Sequence, residues 1–293
     1  MSAAERIELR RAQPLLGTIV EIRVRGNDSQ LLARAVDRAF AAVKRVDGLM
    51  SFHSRSSDVT RLNRSAWKRA LRVHPWTYEV LREAQRVSRA SRGLFDITVA
   101  STLVRDGQLP RQRGVPTALA RASYRDVLLR SGARVRFRRP LLIDLSGIAK
   151  GYAVDRAVRV LQSAGAHEGV VNAGGDLRVF GREPQTVHVR HPDRPDLLLP
   201  LAQLRSGALA TSAGYVARGR TGTRETGALV RPGRAGSFSP RGSASVAAAK
   251  CVHADAWTKV ALLGGTSAAG LRRSGARGRL ITAARSGGQT ACA

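Results

Sequence analysis

Between Leu141 and Gly165 the chain passes from an apolar run into a helix-spaced pattern through Ser146-Gly147-Ile148-Ala149-Lys150-Gly151. The apolar run Leu141 to Leu145 reads as a strand, and Ile148 to Ala164 reads as a helix that Gly165 stops. Any fold of this chain must deliver a strand through a glycine-containing turn into a helix here. Backbone N–H groups at such a helix start attract anions, and Lys150 adds a positive charge beside them. The spacing is not that of a Walker A loop, which needs Gly-x-x-x-x-Gly-Lys-Ser/Thr. On spacing alone, an ordinary strand-to-helix junction with a solvated Lys150 is the simpler reading.

The segments around this junction set the fold class. Leu15 to Val24 reads as a strand opening the domain, and Asn27-Asp28 caps a helix whose apolar positions run from Leu31 to Val46 and whose stop is Gly48. A polar segment, Ser51 to Ser65, leads to a second helix beginning near Pro75 and ended by Gly93. Residues 105–125 read as irregular, and Val135 to Phe137 with Leu141 to Leu145 as a β-hairpin. Strands then dominate: Gly169 to Val171, Leu177 to Phe180, Val187 to Val189, Leu198 to Leu204 and Ala208 to Thr211. Ala244 to Ala249 and a short helix after His253 complete the pattern. This order predicts one α+β domain over residues 1–293, with mainly antiparallel sheets and packed helices.

Charge is the unusual feature of the composition. The chain has 50 Lys and Arg against 21 Asp and Glu, a formal net charge of +29. A nucleic-acid-binding tail concentrates its charge, whereas here the basic residues are scattered, with pairs such as Arg10-Arg11 and Arg138-Arg139 the longest blocks. Aromatic residues make up only 4%, too few for a series of base-stacking platforms. No nucleic-acid partner is expected. Cys251 and Cys292 form no disulfide framework, and no apolar run approaches the ~20 residues that span a bilayer. Without a recognisable signal peptide, a cytoplasmic location is expected; a periplasmic one would require a leader preceding this sequence.

Two further turns carry possible chemistry. Asn172-Ala173-Gly174-Gly175-Asp176 sits between apolar strands, where paired glycines let a ligand approach the backbone or simply form a hairpin tip. In Ala254-Asp255-Ala256-Trp257-Thr258-Lys259, a carboxylate and a hydroxyl three residues apart share a helix face. They suit either Mg²⁺ or, for Asp255, a helix cap. Met50-Ser51-Phe52 and Leu94-Phe95-Asp96 each set an aromatic beside a polar group, apt to flank a planar ring but by default core packing.

In this order the segments resemble the FAD:protein FMN transferase (ApbE) family. The matching pieces are Leu16-Gly17-Thr18, Met50-Ser51 leading through Ser57 to Leu62-Asn63, Gly93-Leu94-Phe95-Asp96-Ile97-Thr98, Asp144 to Asp155, Val171 to Asp176, Ala210-Thr211-Ser212 and Ala254-Asp255-x-x-Thr258. The resemblance covers about residues 14–265 and leaves 266–293 as a variable tail. It implies an ApbE-like, T-fold-like architecture. It also implies an Mg²⁺-dependent enzyme that cleaves FAD and attaches FMN by a phosphoester bond to a Thr or Ser of an acceptor flavoprotein, releasing AMP. By carry-over, Asp255 and Lys150 would be catalytic. Met50, Leu94, Phe95, Asp96, Asp144, Lys150 and Leu229 would bind FAD, and Asp255, Thr258 and the Gly147 carbonyl would hold the metal. Two departures stand out. Many members have Ala-Asp-x-x-x-Thr, whereas here Thr258 is at i+3 and Lys259 takes i+4; and the family's His-Ile-Ile-Asp-Pro appears as Ala228-Leu229-Val230-Arg231-Pro232. The second departure raises an alternative, a homologue that binds or hydrolyses FAD with impaired transfer.

Overall fold

Val20, Ile22 and Val24 alternate with Glu21, Arg23 and Arg25, and in the computed structural model the three apolar side chains are fully buried while the charged ones stay partly exposed. The structure describes residues 7–112, 114–115, 122–191, 194, 196–213, 218–221, 224–240, 242–264 and 276–281. The alternating strand, β2 (Thr18–Gly26), pairs with β1 (Ile7–Leu15) on one side and β3 (Glu168–Ala173) on the other. The sheet continues through β4 (Asp176–Phe180), β5 (Gly207–Ala213), β6 (Ser243–Ala248) and β7 (Arg277–Ile281), seven strands in chain order and antiparallel throughout. It is a meander whose connections carry long insertions.

The insertions supply the helices: α1 (Ser29–Met50), α2 (Asp58–Ser65), α3 (Pro75–Ala90), α4 (Ala100–Arg105), α5 (Ser146–Ser163) and α6 (Cys251–Leu262). Helix α1 lies against β1 and β2, α5 against β3 and β4, and α6 against β5 and β6, with α5 packed between the other two. Their apolar stripes and the buried side of the sheet form one continuous core. A hairpin of Gln185–Arg190 and Leu198–Leu204 closes a smaller cluster in which Val187 and Val189 meet Leu209 of β5. The α+β, mainly antiparallel expectation is met. Among the described residues no helix is long and apolar enough to cross a membrane.

Several local expectations change. Strand β1 precedes the segment read as the opening strand; it is an edge strand with charged residues, so it lacks an apolar signal. Gly48 does not end α1, which runs on to Met50: a mid-helix glycine costs only about 1 kcal/mol and a packed helix absorbs it. The polar segment Ser51 to Ser65 contains α2, whose first turn is capped by Ser57 accepting from the Thr60 N–H at 3.1 Å. The strand Arg134–Phe137 pairs not with Leu141 to Leu145 but with Val127–Arg130 and Leu71–Arg72. Leu141 to Leu145 forms no ladder. Asn63 stands in for one: its amide donates to the Ile143 carbonyl at 3.1 Å and accepts from the Ile143 N–H at 2.8 Å. Within the segment read as a variable tail, Arg277–Ile281 pairs with β6 as the last strand; 266–275 and 282–293 lie outside the described residues.

Candidate functional site

The site is built where α5 meets α6. A Cβ on Gly151 would overlap the Cys251 carbonyl and stand 2.8 Å from Asp255 Cβ, so a residue without a side chain is what permits this approach. The contact brings the Gly151 N–H to Asp255 Oδ2 at 2.9 Å. One turn on, Asp155 accepts from the Cys251 and Val252 N–H groups at 3.0 and 2.9 Å and thereby caps α6 from a neighbouring helix. Helix α6 begins at Cys251, so Asp255 sits in its second turn and is no cap.

Around Asp255 four charged groups interlock. Its Oδ1 is ion-paired with Lys259, whose ammonium also donates to the Asp255 carbonyl at 3.1 Å. Thr258 Oγ1 donates to that same carbonyl and is hydrogen-bonded to Ser212 Oγ, both at 2.7 Å. Lys150, one turn into α5, is ion-paired with Asp176 at the Gly174-Gly175 hairpin tip. It is therefore not the solvated lysine that spacing suggested. Asp176 and Asp255 are both fully buried. Burial, and after it the Asp255 carboxylate, push the Asp176 carboxyl up to about 6 against the pull of Lys150 and Lys259. Burial would raise Asp255 as well, but Lys259 and Lys150 outweigh it and hold that carboxyl below its ordinary value. Burial lowers Lys150, and Asp255 and Asp176 more than reverse this, holding its ammonium well above the usual lysine range.

Above this cluster opens a cleft of about 390 Å³. Its walls come from the Leu16–Thr18 turn, Phe95 and its neighbours, the start of α5, Ser212 and the Ala228–Val230 segment, and both lysines reach it. The N-cap residue of α5, Leu145, makes no side-chain cap bond, and Ser146 and Gly147 line the cleft at that end. Gly174, also lining it, has φ +62° and lies so close to Thr18 that a side chain would overlap it. Leu94, Phe95, Asp96, Asp144, Gly147, Lys150 and Leu229 all line the cleft. Asp255 and Thr258 lie fully buried beneath, and Met50 packs in the core, outside the lining. Asp96 accepts from Thr98 N–H, Thr98 Oγ1 and Tyr124 N–H at 2.8, 2.7 and 2.9 Å, and Asp144 from Ser146 N–H at 3.1 Å. Burial raises both carboxyls. Sequence reasoning passed over Asp176 as the partner of Lys150; the signal was its place at the end of the Gly-Gly turn.

A family model described as the ApbE family matches residues 16–275. The chain belongs to the ApbE family. Among curated relatives, the FAD:protein FMN transferase of Vibrio cholerae is 26% identical over 190 residues, 61% of this chain and 55% of that protein. That of Salmonella typhimurium is 23% identical over 217 residues, 68% and 62%. The chain thus aligns with less than two thirds of the length of these ApbE relatives. Among solved structures, the ApbE protein of Thermotoga maritima has a TM-score of 0.84 at 26% identity, covering 98% of this chain and 97% of that one. Pseudomonas stutzeri flavinyl transferase ApbE, at 20% identity and a TM-score of 0.82 over 100% and 96%, shares the fold.

The resemblance to ApbE proteins implies Mg²⁺ on Gly147, Asp255 and Thr258. These three converge, but as the side chains stand they do not fit a divalent cation. Asp255 Oδ1 is taken by an ammonium and Oδ2 by a backbone N–H, while Thr258 Oγ1 already serves Asp255 and Ser212. Asp176 Oδ1 is buried without a hydrogen-bond partner, but the Lys259 ammonium occupies the Asp255 oxygen on which a cation would sit. A divalent cation ~4 Å from the Lys259 ammonium would meet a like-charge repulsion of about 8 kcal/mol at an effective dielectric constant of 20, to be set against the attraction of the neighbouring carboxylates.

Proposed function

We propose that this chain is a flavin transferase: it binds FAD in the cleft, breaks the pyrophosphate, and joins the FMN phosphate to a Thr or Ser hydroxyl of an acceptor flavoprotein, releasing AMP. The observation that carries this reading is the pair of ammonium groups, Lys150 and Lys259, held by buried Asp176 and Asp255 at the start of α5 and facing a cleft walled by Leu94 and Phe95. The relatives' names support it.

In this reading the apolar wall takes the isoalloxazine ring and the lysine end takes the diphosphate. The acceptor oxygen forms a bond to the FMN phosphorus as the bond from that phosphorus to the bridging oxygen breaks. The bridging oxygen leaves on AMP, and the hydroxyl proton passes to solvent. Charge grows on the leaving phosphate, where Lys150, Lys259 and the α5 N-terminus are preorganised to stabilise it. Asp176 and Asp255 hold the two ammoniums in place and do not touch the substrate. Incubating the protein with FAD and an acceptor domain, then reading flavin fluorescence in a denaturing gel, tests the reading; an acceptor that stays dark while FAD is bound sinks it.

One observation favours the alternative, an FAD-binding or FAD-hydrolysing homologue. Ala228 is exposed at the cleft and offers no proton acceptor, and Arg231 donates to the Leu263 carbonyl at the end of α6. Release of AMP from FAD with no labelling of any acceptor would select it.

A further inference from the structure

The site contains a lysine to which the family resemblance gives no role. Lys259 is four residues along α6 from Asp255, only 20% exposed, and paired with a carboxylate that is fully buried. Its Cε would stand 3.7 Å from a Cβ on Gly147, so the side chain fills the gap between the start of α5 and Asp255. Its tip reaches the cleft that Lys150 also lines. An ammonium has three N–H donors. Two are spent on Asp255, on Oδ1 and the backbone carbonyl, and the third is left for the cleft.

We propose that the Lys259 ammonium takes the place of a divalent cation in this site, so that the chain grips the FAD diphosphate with two lysines and no metal. The inference rests on the FAD reading above. Two carboxylates, Asp176 and Asp255, balance two ammoniums, and the anionic diphosphate then meets a fixed pair of cations. A lysine does this as a compact point charge that needs no loading. It also leaves the site indifferent to metal supply.

The test uses the full chain and two readouts other than turnover. Titration with Mn²⁺ followed by electron paramagnetic resonance should show no site in the wild type and one in Lys259→Thr, which frees Asp255 Oδ1 and adds a hydroxyl. FAD titration followed by flavin fluorescence should give the same affinity in EDTA and in excess Mg²⁺ for the wild type. Lys259→Met should weaken FAD by about tenfold, the loss of one charge-assisted hydrogen bond. Lys259→Arg keeps the charge and should remain blind to Mn²⁺, whereas Lys259→Met also frees Asp255 Oδ1 and should admit Mn²⁺, which decides the matter if the threonine variant fails to fold. Mn²⁺ binding by the wild type, or a loss of FAD affinity in EDTA, overturns the proposal; so does a folded Lys259→Thr that binds no Mn²⁺. Absence of FAD binding in both buffers would instead sink the flavin reading, and the Mn²⁺ titrations would still judge Lys259.

Discussion

Asp155, on α5, caps α6 through the backbone N–H groups of Cys251 and Val252 while also accepting from Arg178 Nη1 at 2.7 Å. A buried carboxylate at a helix start meets unpaired donors and the positive end of the helix dipole together. The same side chain therefore fixes where α6 begins and, four residues on, where Asp255 stands.

Replacing Asp155 by alanine removes both cap bonds and leaves Arg178 without its carboxylate. The expected loss is about 2–4 kcal/mol of unfolding free energy, with Asp155→Asn intermediate because it keeps an acceptor. Urea denaturation measures it, and a loss under about 0.5 kcal/mol, the range of ordinary surface changes, would show the cap to be dispensable.

Gly151 tests the helix crossing by sign. Within a helix, glycine to alanine should gain up to about 1 kcal/mol from propensity. Here the added Cβ meets the Cys251 carbon at 2.6 Å and Asp255 Cβ at 2.8 Å, so the helices must part. Gly151→Ala should instead destabilise by about 1–3 kcal/mol. A melting temperature that rises would contradict the crossing as described.

What the sequence made legible follows from this geometry. Helical spacing identified α1, α3 and α5 because each buries one apolar stripe, and Gly174-Gly175 marked a turn that needs positive φ. Helix α2 was hidden because its eight residues are largely polar and Asp58 and Asn63 are buried through hydrogen bonds. The run Leu141 to Leu145 misled because total burial looks the same whether a ladder or the Asn63 side chain satisfies the backbone. The cleft-lining residues could be listed from motifs, and Lys259 with Asp255 is an i,i+4 pair within α6, but the pairing of Lys150 with Asp176 depends on α5 meeting the Gly174-Gly175 turn.

Glu83 of α3 ties α3 to α6 and gives a pH signature. A hydrogen bond from His253 lowers its carboxyl, burial opposes this, and Arg86 adds to the lowering, bringing it to about 2 from an ordinary 4.5. A depressed carboxyl contributes stability that is complete above about 4.5 and is lost as pH falls through about 2. Glu83→Gln should therefore be less stable than the wild type at pH 6, by about 1 kcal/mol after allowing for solvent screening. The gap should close as pH falls towards 2. Equal stability at pH 6 would dismiss the pair.

Lys150 separates holding the fold from holding the ligand. Lys150→Met strands a fully buried Asp176 and should cost about 3–5 kcal/mol. Adding Asp176→Asn removes the stranded charge and should restore most of that stability, without restoring FAD binding. If the double variant binds FAD as the wild type does, Lys150 is only a structural partner of Asp176.

Ala228, where the resemblance to the ApbE family expects a histidine, is exposed at the cleft beside Leu229. If transfer is slow because no side chain takes the acceptor's proton, a base installed there should speed it. Ala228→His is expected to raise the rate of acceptor labelling by about 10²-fold, the lower end of what a positioned general base contributes. FAD affinity should change little, since in the proposed reading the ammonium groups of Lys150 and Lys259 hold the diphosphate and neither is altered. The labelling rate should also rise with pH as the imidazole loses its proton near its ordinary value of about 6.5. A variant that folds and binds FAD but labels no faster would place the limit elsewhere, in the docking of the acceptor hydroxyl rather than in its deprotonation.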